Sequence, residues 1–203
     1  MRRIHSAAKL DRPLPASRPN PSLHLRLADH SDVTNLYDIR QAAIRQLSLT
    51  HLSESEAAAW AERGGIPRVE KAIAKDEVWV ATLGLQLVGW LHRAANSIEG
   101  LYVSPPAARQ GVGTALVRLA QSHIAQTAHS LVVLESSLNA VGFYLRLGYV
   151  PSGIQSFSTA VAMSKHLEAA QSMPLTSTIT SSAYALRKQL RSRIYRRMPF
   201  KSR

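Results

Sequence analysis

The sequence predicts an α/β domain: a mixed, mostly antiparallel sheet with helices on both faces. Three observations carry that expectation. Short apolar runs (Leu23–Leu27, Val78–Leu83, Leu87–Leu91, Ser97–Val103, Leu131–Glu135) are separated by stretches of helical periodicity. Three of these runs follow one another with no helix between them, which favours antiparallel neighbours. One strand–turn–helix–strand unit, centred on Gly111, requires a parallel pair.

The elements follow in order. Leu23, Leu25 and Leu27 alternate as a first strand. Ser31 or Asp32 is placed to cap a helix carrying Val33, Leu36, Tyr37, Ile44 and Leu47. Ser53 and Glu56 have the spacing of a capping box for a short helix ending near Trp60. Pro67 suits the first turn of a third helix, with Ile66, Val69, Ala72 and Ile73 on its buried side. The period then shortens. Val78–Leu83 and Leu87–Leu91 read as a hairpin across Gly84-Leu85-Gln86. Ser97–Val103 follows and stops at Pro105-Pro106, because proline cannot donate to a sheet ladder. A helix with Leu116, Leu119, Ala120 and Ile124 comes next, then the strand Leu131–Glu135. A last helix carries Ala140, Phe143, Tyr144 and Leu147 and ends at Gly148, where a glycine C-cap belongs. Tyr149–Ser158 and Ala160–Lys165 complete the sheet.

Composition bounds what the chain can do. With 203 residues, 45% of them hydrophobic, it supports one cored domain plus tails. The net charge of +12 suggests nucleic acid until it is located. Residues 1–22 hold five Lys/Arg against one Asp, a net +4, and four prolines, which reads as a disordered basic leader. Residues 23–170 hold twelve of each sign and are neutral. Residues 171–203 hold eight Lys/Arg and no acid, a net +8. The charge therefore belongs to the tails, and so would any polyanion affinity. In the C-terminal tail Leu186, Leu190, Ile194 and Met198 recur every four residues among arginines, a pattern for a part-helical segment in contact with a membrane surface or nucleic acid. Its bland counterpart is a solvated extension. Without cysteine there are no disulfides or thiolate metal sites, and the eight histidines form no ligand-spaced set, so no metal is expected. No apolar run approaches the roughly 20 residues of a membrane span. The leader has no apolar segment of a secretory signal, so a cytoplasmic placement is expected.

The segment richest in chemistry is Ala107-Ala108-Arg109-Gln110-Gly111-Val112-Gly113-Thr114. Glycines let a main chain approach a ligand closely. The turn opens a helix, whose first N–H groups and positive dipole end favour an anion. Arg109 adds a cation. A glycine pair before a helix also serves plain strand-to-helix connections. The turn is neither a P-loop, lacking the Lys-Ser/Thr that follows its glycines, nor a Rossmann turn, since Leu116 stands at the third glycine.

The order of the motifs is similar to the GNAT superfamily of N-acetyltransferases. The likeness runs from Leu25-Arg26-Leu27-Ala28 through the Val78–Leu91 hairpin, Ile98-Glu99-Gly100-Leu101-Tyr102-Val103 and the glycine turn. It continues in Ser136-Ser137-Leu138-Asn139-Ala140-Val141-Gly142-Phe143-Tyr144-Leu145-Arg146-Leu147-Gly148-Tyr149 and closes at Met163-Ser164-Lys165. The resemblance implies a GNAT domain over roughly residues 23–170 that binds acetyl-CoA as cosubstrate and acetylates an amine, small molecule or peptide, by direct attack. It implies that main-chain N–H groups of Ala108, Arg109, Gln110, Gly111, Val112, Gly113 and Thr114 hold the CoA pyrophosphate. Leu101, Tyr102 and Val103 would pair with the pantetheine arm and offer an N–H to the thioester carbonyl. Ser137 and Asn139 fall beside the same ligand. Two positions depart from the family pattern. Ala108 stands where Arg or Gln is usual, with Arg109 displaced by one, and Ser137 stands where Asn is common.

Candidate catalytic residues follow. Tyr144 is implied as the acid that protonates the leaving thiolate; its phenol, with a reference pKa of about 10, is protonated at neutral pH. On spacing alone it would be a core tyrosine. Glu99 is the carboxylate on the strand before the turn, on a Glu99–Leu101–Val103 face if the strand is regular, and is the first candidate base. Glu135 is a second, and His51 and His92 are lesser ones. Trp60, Trp79 and Trp90 read as packing residues, although Trp60 falls in a segment that walls the acceptor site in relatives. A rival reading is a CoA-binding module without turnover, docked to a partner or membrane by its basic tail; Ala108 favours it.

Overall fold

The computed structural model describes residues 22–75, 77–152 and 160–168. The strands are β1 (Leu23–Leu27), β2 (Glu77–Leu83), β3 (Gln86–Ala94), β4 (Ser97–Val103), β5 (Leu131–Ser137), β6 (Val150–Pro151) and β7 (Ala160–His166). The helices are α1 (Val33–Leu47), α2 (Glu54–Glu62), α3 (Gly65–Lys75), α4 (Val112–Ala125) and α5 (Val141–Arg146). The strands form one sheet in the order β1-β2-β3-β4-β5-β7-β6. Every neighbouring pair is antiparallel except β4 and β5, which are parallel and joined through α4.

β2 shows how alternation builds two cores. Val78 and Val80 face α1 and α3, where Leu36, Ile39, Val69 and Ile73 meet them. Trp79, Ala81 and Leu83 face the opposite layer. There α4 presents Val112, Leu116, Val117, Ala120 and Ile124 at helical spacing, against Leu91, Ile98, Val132 and Leu134. Leu36 and Leu116 are both fully buried, and each such side chain contributes about 1.5–3 kcal/mol. The sheet is thus covered by helices on both faces, as the periodicity predicts.

Local signals succeed and fail for identifiable reasons. The Ser53–Glu56 capping box forms on both sides: Ser53 N–H donates to Glu56 at 2.8 Å and Glu56 N–H to Ser53 Oγ at 3.3 Å. Gly148 adopts φ +82 after α5. The expected cap at Ser31 or Asp32 is corrected: Asp29 caps a 3-10 turn over His30–Asp32. Asp32 stands at the N-cap of α1 but makes no side-chain cap bond. Its carboxylate accepts instead from Arg26 at 2.7 and 2.8 Å and from Asp29 N–H at 2.8 Å. Ile66, expected on the buried side of α3, is exposed. The penultimate strand is Val150–Pro151, and residues 153–158 of the longer strand expected there lie outside the described residues. So do the basic leader and the tail from residue 169 on.

Candidate active site

β4 and β5 touch at one end only. They pair at Ser97–Val133 and Ile98–Leu134. Beyond Ile98, β4 is bonded to β3 alone among the described strands. A bulge marks the point of parting. His92 pairs with Gly100 and Arg93 with Ile98, so Glu99 has no partner on β3. A bulge bends its strand and increases its twist. It also resets the alternation: Ile98, Leu101 and Val103 all face the α4 layer, whereas Tyr102 faces α1 and α3. The regular Glu99–Leu101–Val103 face expected from sequence is therefore not formed.

A cavity of about 740 Å³ opens where the strands part. β4 lines it with Leu101, Tyr102 and Val103, and the glycine turn with Ala108, Arg109, Gly111, Gly113 and Thr114. Ser137 and Asn139 complete the far side, so ten of the residues named from sequence are brought together. Asn139 is fixed by donating from Nδ2 to Leu47 O at 2.9 Å. Ser137 stands at the N-cap of the turn Leu138–Ala140 but makes no side-chain cap bond. Gln110 and Val112 differ from the others. Gln110 folds back to donate to Pro106 O at 2.8 Å, and the Val112 side chain is buried in the core. Both leave only their main chains to a ligand.

The turn has the makings of an anion cradle. Arg109 and Gly111 both have left-handed backbone, φ +62 and +83. A Cβ built on Gly111 meets nothing within 4 Å, so the glycine answers to backbone conformation and to open space beside it. Gly113 answers to closeness: its Cβ would lie 3.4 Å from Phe143 Cζ. The first α4 bond is Ala115 N–H to Gly111 O, 3.0 Å. The N–H groups of Val112, Gly113 and Thr114 precede it and lie outside the helical ladder. With the dipole end of a 14-residue helix behind them, they suit a pyrophosphate.

The candidate catalytic residues are distributed differently. Phe143 lines the cavity, and Tyr144, one residue on, is buried in the α4 layer. Its ring meets Phe143 and Tyr149 edge-on, at 5.0 and 5.4 Å between centroids. Burial, reinforced by Tyr149 and Tyr102, pushes its phenol well above the ordinary tyrosine value. Glu99 does not line the main cavity. It shares a second cleft of about 460 Å³ with Glu135 and Arg68, so the two candidate carboxylates do come together. His51 and His92 line neither cleft. Among the described residues no group of three or more His, Asp or Glu is placed to hold a metal.

Sequence reasoning missed most of one wall. Ala43, Ile44, Leu47, Ser48 and Thr50, at the end of α1 and just beyond, line the cavity together with Trp60, Phe143 and Arg146. Trp60, read as a packing residue in a segment that walls the acceptor site in relatives, belongs to this wall. Trp90 does pack: it is buried, stacks on Tyr102 at 4.8 Å and donates to Leu36 O at 2.9 Å. Trp79 stacks on His123 at 4.8 Å.

A mixed sheet parted between its two parallel strands, with a helix-opening glycine turn at the gap, defines a domain built to take an extended, anion-bearing ligand. A family model for the acetyltransferase (GNAT) domain matches residues 48–167. The uncharacterized N-acetyltransferase YafP of Escherichia coli (strain K12) is 30% identical over 129 residues, 63% of this chain and 81% of that protein. A GCN5-related N-acetyltransferase of Rhodopseudomonas palustris superposes with a TM-score of 0.68 at 24% identity, covering 75% of this chain and all of the other. PaiA N-acetyltransferase of Thermoplasma acidophilum, solved in complex with coenzyme A, superposes with a TM-score of 0.64 at 19% identity, covering 71% of this chain and 99% of that one. The chain belongs to the GNAT acetyltransferase family.

Proposed function

We propose that this chain transfers the acetyl group of acetyl-CoA to a primary amine by direct attack. The observation that carries the reading is the free edge of β4 beside the glycine turn. Leu101, Tyr102 and Val103 bond to β3 on one side and face the cavity on the other, with open cradle amides beyond them. An extended pantetheine arm would pair with that edge as an added strand does. The diphosphate would lie on the amides of residues 108–114, with Arg109 and Arg146 as nearby cations. These contacts need no side chain at position 108, so Ala108 leaves the cradle intact.

Bound acetyl-CoA supplies the activated acetyl thioester. A β4 main-chain N–H polarises the thioester carbonyl, a donor fixed before reaction. Tyr144 keeps its proton throughout the physiological range and serves as donor to the departing sulfur. Glu99, at the bulge where β4 leaves β5, takes the amine proton through water.

The test is release of free thiol from acetyl-CoA across a panel of amines. At least one amine is expected to be consumed. Tyr144→Phe should lower kcat by about 100-fold, the low end of general-acid contributions, with coenzyme affinity nearly unchanged. Coenzyme binding without turnover on any amine would replace this reading by that of a binding module.

A further inference from the structure

The acceptor end of the cavity is apolar and carries no negative charge. Away from the glycine turn its wall is Ala43, Ile44, Leu47, Trp60, Tyr102 and Phe143. Ser48 and Thr50 add hydroxyls. No aspartate or glutamate lines it among the described residues; its charged residues are Arg109 and Arg146. A third cation stands behind the wall. Arg40 is 2% exposed, and its guanidinium lies 5.8 Å from the centre of the Tyr102 ring. It donates to Ala61 O and, at 3.1 Å, to Trp60 O, carbonyls near the end of α2. Its Nε finds no partner, and no carboxylate pairs with it among the described residues. The carboxylates Glu99 and Glu135 line the other cleft and none of this wall.

We infer that the acceptor is an amine borne on an aromatic or aliphatic stem with no second positive charge. The inference rests on the acetyltransferase reading above and narrows it. Apolar surface on Trp60, Leu47 and Phe143 favours burial of such a stem. Arg109 and Arg146 are matched by the coenzyme diphosphate, but the charge of Arg40 behind the wall disfavours an ammonium and so favours the neutral amine that attacks. A polyamine or aminoglycoside would bring further cations into a cavity with no counter-ion, at the cost of desolvating them. The wall thus selects against such acceptors as well as for apolar ones.

The experiment measures kcat/KM with acetyl-CoA for phenethylamine, tryptamine and hexylamine against spermidine and kanamycin. The apolar amines are expected to lead by about tenfold or more, the scale on which an apolar pocket discriminates. Trp60→Ala should raise KM for tryptamine more than for acetyl-CoA. Leu47→Glu, at a part-exposed position, should narrow the gap to spermidine by about threefold, the scale of a half-exposed ion pair. Equal or better turnover of spermidine or kanamycin overturns the inference and leaves the acetyltransferase reading standing. Thiol release with none of the five, nor with any amine of the wider panel, overturns both.

Discussion

Replacing Gly111 by alanine separates the two demands made on the glycine turn. The residue has φ +83, and an added Cβ finds no atom within 4 Å. Steric collision with the protein therefore contributes nothing. The left-handed conformation costs an L-residue roughly 1–2 kcal/mol. Alanine recovers about 0.4–1 kcal/mol through the stiffer unfolded chain. The net loss is about 1 kcal/mol, which for a domain of this size lowers Tm by about 2–4 °C. The ligand meets a different obstacle, because the new methyl occupies space beside the amides proposed to hold the diphosphate. A loss of about tenfold in coenzyme affinity, or roughly 1.4 kcal/mol, is expected. Gly113→Ala is the control. Gly113 is outside the left-handed region, and its Cβ would meet Phe143 at 3.4 Å, close to ordinary contact. Its stability should stay within about 0.5 kcal/mol of the parent, since helix propensity offsets the tightness. Thermal unfolding by circular dichroism and calorimetric titration with coenzyme A read the two effects. A Gly111→Ala protein with unchanged Tm and unchanged affinity would refute the cradle.

Two further outcomes concern stability. Asp32→Ala removes a 5% exposed carboxylate that accepts three bonds, while Arg26, its half-exposed partner, can return to water. The expected loss is about 1–3 kcal/mol by urea unfolding, and a neutral result would show that the 3-10 turn is held by Asp29 alone. His123, stacked on Trp79, has its pKa lowered, mainly by burial, then raised in part by Glu77 and lowered again by Arg93. The folded state thus binds its proton less readily than the unfolded chain. Its contribution is present above about pH 6.5, the unfolded value, and is lost as pH falls through the lower folded value. Tm should therefore fall between pH 7 and pH 5, less steeply in His123→Gln; equal slopes in parent and variant would show that other groups set the dependence.

Much of this architecture is legible in the chain because it depends on local rules. Alternation in β2, the Ser53–Glu56 box, the helical stripe of α4 and the Gly111 turn each follow from spacing. The family likeness then ordered them and placed Leu101–Val103 beside the turn. What escaped depends on register and on the third dimension. The bulge at Glu99 has Gly100 beside it as its one local signal, a glycine inside a strand, but that signal does not say which residue is left unpaired, which decides the face that Leu101 and Glu99 occupy and where the sheet opens. Ile44 and Leu47 follow the same helical period as the α1 core, and periodicity reports that a face is covered, not whether protein or ligand covers it. Arg40 escaped as well, an arginine on a helix whose burial against the α2 carbonyls is a purely tertiary fact.

The claim on which all of this depends is that the parted end of β4 and the turn at Gly111 hold the coenzyme. Titration of the purified chain with coenzyme A in a calorimeter tests it without knowledge of the acceptor. One saturable site per chain is predicted. Absence of measurable heat with both coenzyme A and acetyl-CoA, from a protein shown to be folded by its thermal transition, would contradict it.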